Sequence, residues 1–425
     1  MMDSGRKTAF QILFEVEKEK AFSNLTANRI IKDNNPENPA FVRELVYGVL
    51  ENKMLLDYYI DMLVPSGIGK VKDREKTILR MGIYQIKFMD SVPDYAAVSE
   101  TVSMAKKLVR GREGFINGVL RSFAGKKEQM KLPEEDRETY LSVKYSFPIW
   151  IIRMWKEQYG DDSLEEMLAA SNERPRLCVR VNLLKTTPDE LAKRLEKKGF
   201  KIERGKLSDR ALCISGSGLT DTDEYKDGLF SVQDEASLEA CRSLEPRPGD
   251  TVVDVCAAPG GKTLAIGEMM ENKGRIIACD IYPHKLQLIK QQADRLNIYI
   301  VDTELIDGVE GASFLDGTAD KVLVDAPCSG LGVIRRKPEI KYKESIDLSE
   351  LISLQAGILD RASHYVKPGG ILVYSTCTVN KDENDLQTEK FLEKHRDYEI
   401  IYRKQFLPTD GTDGFFIAKM KKKGK

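Results

Sequence analysis

From about residue 230 to its end the chain alternates short apolar runs with helical stretches, and nothing else constrains its fold as much. TVVDVCAA, RIIACD, DKVLVDAP and GILVYST are rich in β-branched residues and almost free of polar interruptions. Strands that are apolar on both sides must be covered on both sides, which describes a mostly parallel sheet flanked by helices, a Rossmann-like α/β architecture. NIYIVDTELIDG supplies a further strand. A final strand is expected at Phe415, Phe416 and Ile417, with the terminal lysines disordered.

The first 130 residues read differently. TAFQILFEVE and FVRELVYGVLENKMLLDYYIDML place Phe10, Leu13, Phe14, Leu45, Val46, Val49, Leu56 and Ile60 at helical spacing. Asp73 is a candidate N-cap for REKTILRMGIYQIKFM, Pro93 breaks the chain before YAAVSETVSMAKKLV, and Gly111 ends that helix. No strand pattern interrupts the block, so an all-α bundle is expected. Between the two regions come more helices, then the strand PRLCVRVNLL, the helix PDELAKRLEKKGF with Pro188 in its first turn, and further strand in KIERGKLSDRALCIS. The resulting division is a helical domain at 1–130, a helical linker with a small α/β module at 131–235, and a catalytic α/β domain at 236–425.

Charge is informative by position. Residues 1–130 carry 21 basic and 17 acidic side chains, whereas the remainder carries 45 against 50. Within 101–127, Lys106, Lys107, Arg110, Arg112, Arg121, Lys126 and Lys127 face one acid, Glu113. Such a cluster is the footprint of a phosphate-binding surface, although a solvated helix face has the same composition. Seven cysteines, odd in number and without a Cys-x-x-Cys pair, argue against a disulfide framework or a zinc site and for a reducing compartment. His284, His364 and His395 lack ligand spacing, so no metal is expected. No apolar run is long enough to span a membrane and the N-terminus lacks a signal-peptide core, so a cytoplasmic monomer is expected.

The first catalytic strand runs into Cys256, Ala257, Ala258, Pro259, Gly260, Gly261 and Lys262, a strand-to-helix turn whose backbone N–H groups can approach a ligand. It is not a phosphate loop, because Cys256 stands where that motif needs glycine. Asp280 ends the next strand, where an acid can hold the two ribose hydroxyls of a nucleoside. Asp254 can orient the turn or meet the ammonium of a methionine moiety, with Lys262 on its carboxylate. Asp307, or alternatively Asp302, is placed near an adenine.

The next two strands end in DAPCSG and STCT. C-terminal strand ends of a parallel sheet converge on one crevice, so Cys328 and Cys377 can share a site. Two thiols and Asp325 suit methylation at carbon 5 of cytosine, a carbon too weakly nucleophilic to take a methyl group unaided. A thiolate adding to carbon 6 turns the ring into an enamine. Asp325 can bond the ring's N3 and 4-amino edge, and a second cysteine can assist release. Arg335, Arg336 and Lys337, just beyond, can grip phosphates beside a flipped base.

ILRMGIYQIKFMDSVPDYAAVSETVSMAKKL with GREGFINGVLRSF resembles the RNA-binding domain of the antitermination factor NusB, which implies RNA contact for the helical region and its basic cluster. DVCAAPGGKT, DAPCSGLGVIRRKPEIK and LVYSTCTVNKDEN resemble the bacterial RNA 5-methylcytosine methyltransferases, and the NusB-like domain beside them resembles the members acting on 16S ribosomal RNA. The resemblance implies S-adenosylmethionine as donor, Cys377 as nucleophile and Cys328 in product release. It also implies that 256–262, Asp280, Asp307 and Asp325 contact the donor or the target base. Three alternatives stand beside this reading. The same chemistry could act on transfer RNA, Cys328 could be the nucleophile as in DNA cytosine methylases, or the chain could be an RNA-binding assembly factor with a vestigial methylase.

Overall fold

The computed structural model describes residues 4–343 and 348–424. They form two compact units, one of residues up to 173 with 334–343, the other of 174–333 and 348 onward.

The first unit is all helical. Its helices are Ser4–Glu19, Ser23–Asn34, Pro39–Glu51, Lys53–Leu63, Asp73–Phe88, Asp94–Leu108 and Glu113–Lys126, followed by Arg137–Tyr145, Ile149–Tyr159 and Asp161–Ser171. Leu13, Leu45, Val46, Val49, Leu56 and Ile60 are buried together, as their helical spacing requires. Asp73 is the first residue of its helix rather than its cap. Lys72 holds the cap position without a side-chain bond, and the acid in the first turn faces the positive end of the helix dipole. Pro93 does precede a helix, but that helix stops at Leu108, before Gly111. The distant segment 334–343 belongs to this unit through polar bonds. Glu339 accepts from Ser23 N and Oγ at 2.9 and 2.7 Å, and buried Lys341 donates to Glu51 O and Asn172 Oδ1.

The second unit carries two sheets. β1 (Cys178–Val181), β2 (Lys201–Arg204), β3 (Ala211–Ser215) and β4 (Phe230–Val232) form an antiparallel sheet in the order β2-β3-β1-β4. A helix at Pro188–Lys197 follows β1, started by a reciprocal capping box between Thr187 and Glu190. Here the expectation that no disulfide forms is overturned. Register sets Cys178 directly opposite Cys213 with Cα atoms 4.0 Å apart, and the two are bonded. Sequence spacing gives no hint of this, because only strand pairing brings the two together.

The larger sheet contains β5 (Thr251–Asp254), β6 (Arg275–Asp280), β7 (Val301–Leu305), β8 (Ala319–Asp325), β9 (Val366–Thr376), β10 (Tyr398–Phe406) and β11 (Phe415–Lys422), ordered β10-β11-β9-β8-β5-β6-β7. Only β11 runs against its neighbours. Val253, Val322, Leu372 and Tyr374 are buried on one face, and Val252, Leu323 and Val373 on the other, which explains the unbroken apolar runs. The terminal lysines are partly ordered after all. β11 extends to Lys422, and buried Lys419 pairs with Glu245 at 2.6 Å. Successive strands run outward from β5 to β7 and then return to β8 on its other side, so a crevice opens at the C-terminal ends of β5 and β8.

Candidate active site

β5 delivers Asp254 to the crevice, and the turn to the helix Gly261–Met269 follows. Ala257 N–H donates to Cys279 O, and Gly260 N–H to Ala257 O. Gly260 has φ +101°, a conformation that L side chains rarely adopt, while a side chain on Gly261 would enter open space. The turn therefore presents bare backbone. Asp254 is 1% exposed. Its Oδ2 accepts from Thr263 Oγ1 at 2.7 Å, and its buried Oδ1 has no partner among the described residues. Burial pushes this carboxyl up to about 7.

Asp280 ends β6 with Oδ1 accepting from Tyr282 N at 3.0 Å. Asp307 follows β7 and accepts from Val309 N and Glu310 N. Register pairs Asp280 with Leu305 and leaves Asp302 farther back, opposite Ile277. Asp302 is an exposed partner of Arg275 at 2.7 Å. Lys262, expected from the sequence beside the donor's carboxylate, has its Nζ 2.7 Å from Asp325 Oδ2. Burial disfavours its charge, but Asp325 outweighs burial and holds the ammonium charged. The other Asp325 oxygen accepts from Ser375 Oγ at 2.8 Å.

The parallel register of β8 and β9 matches Asp325 with Ser375, so the residues just beyond each strand meet. Cys328 Sγ and Cys377 Sγ are 3.2 Å apart although 49 positions separate them. Gly332 N–H donates to Cys377 O at 3.0 Å, and a Cβ on Gly332 would lie 1.9 Å from Gly414 O, so only glycine fits between the loops. The Cys328 thiol is pushed well up by its bond to Cys377, by burial and by nearby Glu383. Either sulfur can be the donor in the contact between them. Burial pushes Cys241 and Cys279 up to about 12 and raises Cys256 as well, which leaves those thiols inert.

Beneath the sulfurs lies a network that sequence reasoning missed. Fully buried Glu383 accepts from Ser329 N, Ser329 Oγ, Gln355 Nε2 and Asn380 Nδ2 at 2.6–3.2 Å. Its signal sat inside LVYSTCTVNKDEN, where a glutamate in a run of charges looks like solvated surface.

The candidate RNA contacts are separately placed. Lys106, Lys107 and Arg110 are exposed at the end of the Asp94–Leu108 helix. Arg112 is committed to Glu75 at 3.0 Å. Arg335 is 5% exposed, Arg336 is half-buried, and both are engaged within the protein. Lys337 lies over the Phe22 ring at 5.1 Å. Among the described residues the one His/Cys/Asp/Glu group close enough to share an ion is Cys178, Cys213 and Glu235, whose sulfurs are joined to each other. No helix among them is long and apolar enough to cross a membrane.

A parallel sheet ending in one reversed strand, with a bare glycine turn after its central strand and acids at neighbouring strand ends, defines a Rossmann-like methyltransferase. Comparison with known proteins narrows the class. Residues 241–421 match the family described as 16S rRNA methyltransferase RsmB/F, residues 3–125 match the NusB family, and residues 147–219 match the RsmF/B-like ferredoxin-like domain. The probable ribosomal RNA small subunit methyltransferase B of Bacillus subtilis (strain 168) is 38% identical, with 99% of each chain covered. The ribosomal RNA small subunit methyltransferase B of Serratia proteamaculans is 31% identical over 92% of each. Among solved structures, the crystal structure of PH0851 superposes with a TM-score of 0.86 at 28% identity over 99% of both chains. A methyltransferase homolog from Pyrococcus horikoshii gives 0.60 at 28%, covering 66% of this chain and 97% of its own. The chain belongs to the RsmB/F family of 16S rRNA methyltransferases.

Proposed function

We propose that this protein methylates carbon 5 of a cytosine in 16S ribosomal RNA, with S-adenosylmethionine as donor and Cys377 as the covalent nucleophile. One observation carries the reading. Two sulfurs lie 3.2 Å apart at adjacent strand ends, beside a carboxylate held by Lys262 and Ser375.

The crevice suits the donor. The bare turn 256–262 would pass along it, the unpartnered Asp254 Oδ1 is an acceptor for an ammonium, and Asp280 and Asp307 would hold the ribose and adenine ends. The donor supplies a methyl group on a sulfonium, which is electrophilic enough to be attacked by carbon. A free thiol with pKa about 8.5 is only a few per cent ionised at pH 7, so the site must favour the thiolate. Cys328 Sγ, 3.2 Å from Cys377 Sγ, would do so by donating its S–H, and the Lys262 ammonium adds positive charge. Cys377 then adds to carbon 6 while Asp325 accepts from the 4-amino group, and the electron pair displaced onto carbon 5 takes the methyl as its bond to the donor's sulfur breaks. The carbon 5 proton leaves to solvent, its electron pair re-forms the 5,6 double bond, and Cys377 departs as a thiolate to which the neighbouring Cys328 thiol can donate. Lys106, Lys107 and Arg110 provide exposed charge for RNA phosphates.

Cysteine replacement tests the assignment. Cys377→Ala is expected to abolish the covalent RNA adduct, and Cys328→Ala to let it accumulate on denaturing gels. The reverse pattern would make Cys328 the nucleophile. Bisulfite sequencing of 16S RNA from a deletion strain should show one cytosine losing protection, and an unchanged profile rejects the substrate.

A further inference from the structure

We propose that Glu383 is the positioning residue of the sulfur pair: its buried carboxylate ties the Cys328 loop to the Cys377 loop, and its charge decides which sulfur attacks. The consequence for catalysis rests on the methyl-transfer reading above.

The carboxylate sits where both loops converge. From the Cys328 side it receives Ser329 N at 2.8 Å and Ser329 Oγ at 2.6 Å. From the Cys377 side it receives Asn380 Nδ2 at 3.2 Å and Thr378 Oγ1 at 3.3 Å. Ser329 Oγ and Thr378 Oγ1 are themselves 2.7 Å apart, so the residue after each cysteine touches the residue after the other. Gln355, from the helix Leu348–Ser363, donates to Glu383 Oε2 and to Pro327 O, both at 2.9 Å, which fixes the peptide just before Cys328. Donors converge on both oxygens and none is a cation, an environment built for a full negative charge. That charge is fully buried and its bonds run to neutral groups, so its field acts on the nearest titratable atom at low dielectric. Removing a proton from Cys328, next to Ser329, would set a second anion beside it. Cys377 differs in having the Lys262 ammonium near it, with the Cys328 sulfur 3.2 Å away. Asp325, neutralised by Lys262, Cys256, whose thiol is pushed up by burial, and Tyr374, whose hydroxyl donates to Glu383 O, also lie near the pair. Asp385, beyond Glu383, is paired with Arg403.

A staple without an electrostatic role would change stability and leave the choice of sulfur alone. Alkylation of the full-length protein by iodoacetamide, read cysteine by cysteine by peptide mass spectrometry across pH, separates the two roles without RNA or donor. In the wild type Cys377 is modified at lower pH than Cys328. In Glu383→Gln the Cys328 midpoint moves down, and the preference for Cys377 at neutral pH falls on the order of tenfold, the equivalent of one pKa unit. Glu383→Asp keeps the charge with a shorter reach. It retains the order of the midpoints but lowers kcat, with the RNA KM unchanged. An unaltered preference in Glu383→Gln overturns the proposal, however unstable that variant is. Should it not fold, a collapsed preference or a wild-type kcat in Glu383→Asp overturns it instead. A wild type that alkylates as described but transfers no methyl to RNA would sink the methyl-transfer reading and leave this selectivity standing.

Discussion

The second unit contains two pairs of neighbouring cysteines, and they have opposite fates. Cys178 and Cys213 face each other inside an antiparallel ladder, buried and joined. Cys328 and Cys377 meet beyond the ends of two parallel strands, as thiols, with Lys262, Asp325 and Glu383 around them. Proximity is common to both pairs, so it does not make a reagent. In the ladder the two sulfurs are bonded to each other, so Glu235, 3.8 Å from Cys213 Sγ, has no thiol to act on. A strand-end position leaves each sulfur on its own loop, and charges arriving from other elements make the two unequal.

The largest test of that contrast is direct. Cys377→Ala should lower methyl transfer by more than about 10⁴-fold, as expected when a covalent nucleophile is removed. Replacing Cys178 and Cys213 together by Ala should leave the rate nearly intact and cost roughly 2–4 kcal/mol of stability in denaturant titrations. A double variant with wild-type stability and a crippled rate would reverse the roles assigned to the pairs.

A smaller effect isolates the surrounding charges from the sulfurs. Lys262→Met keeps both thiols but frees Asp325 and removes the ammonium near Cys377. Turnover should drop by roughly 10²-fold, in line with losing one fixed charge in a water-poor site, while the alkylation midpoint of Cys377 rises. A slower enzyme with an unmoved midpoint would confine Lys262 to holding Asp325 in place.

The same division explains what the sequence disclosed. Strands buried on both faces announce themselves, and β5, β6, β8 and β9 were legible as apolar runs. β10 was not, because its middle residues, Glu399 to Lys404, are exposed on an edge strand and follow no alternation. β4 is three residues long, too short for any period. The cysteine motifs were legible because strand ends converge whatever the loops do. The Cys178–Cys213 bond, the Lys262–Asp325 pair and the reach of Glu383 to Ser329 each depend on register between segments 35, 63 and 54 positions apart. Local pattern carries no such register. The burial of Arg335 escaped for the same reason, since a basic run after a catalytic motif looks solvated until the fold removes it from water.

The smallest expected effect concerns stability and asks whether burial alone, without a sulfur, makes this crevice pH-sensitive. Asp254 loses its proton at about 7 in the folded protein and near its ordinary 3.8 when unfolded. Between those limits the folded state holds one more proton, so stability attributable to this group is present at low pH and falls as pH rises toward 7. Asp254→Asn mimics the protonated form at every pH. Without donor, its melting temperature should match the wild type near pH 4 and exceed it progressively up to pH 7, staying higher above that. Calorimetry should show weaker donor binding at the same time, because the amide no longer offers an anionic Oδ1 to an ammonium. Melting curves that run parallel at all pH values would mean that Asp254 titrates alike in the folded and unfolded states. The pH response of the crevice would then have to come from the Cys328–Cys377 pair itself.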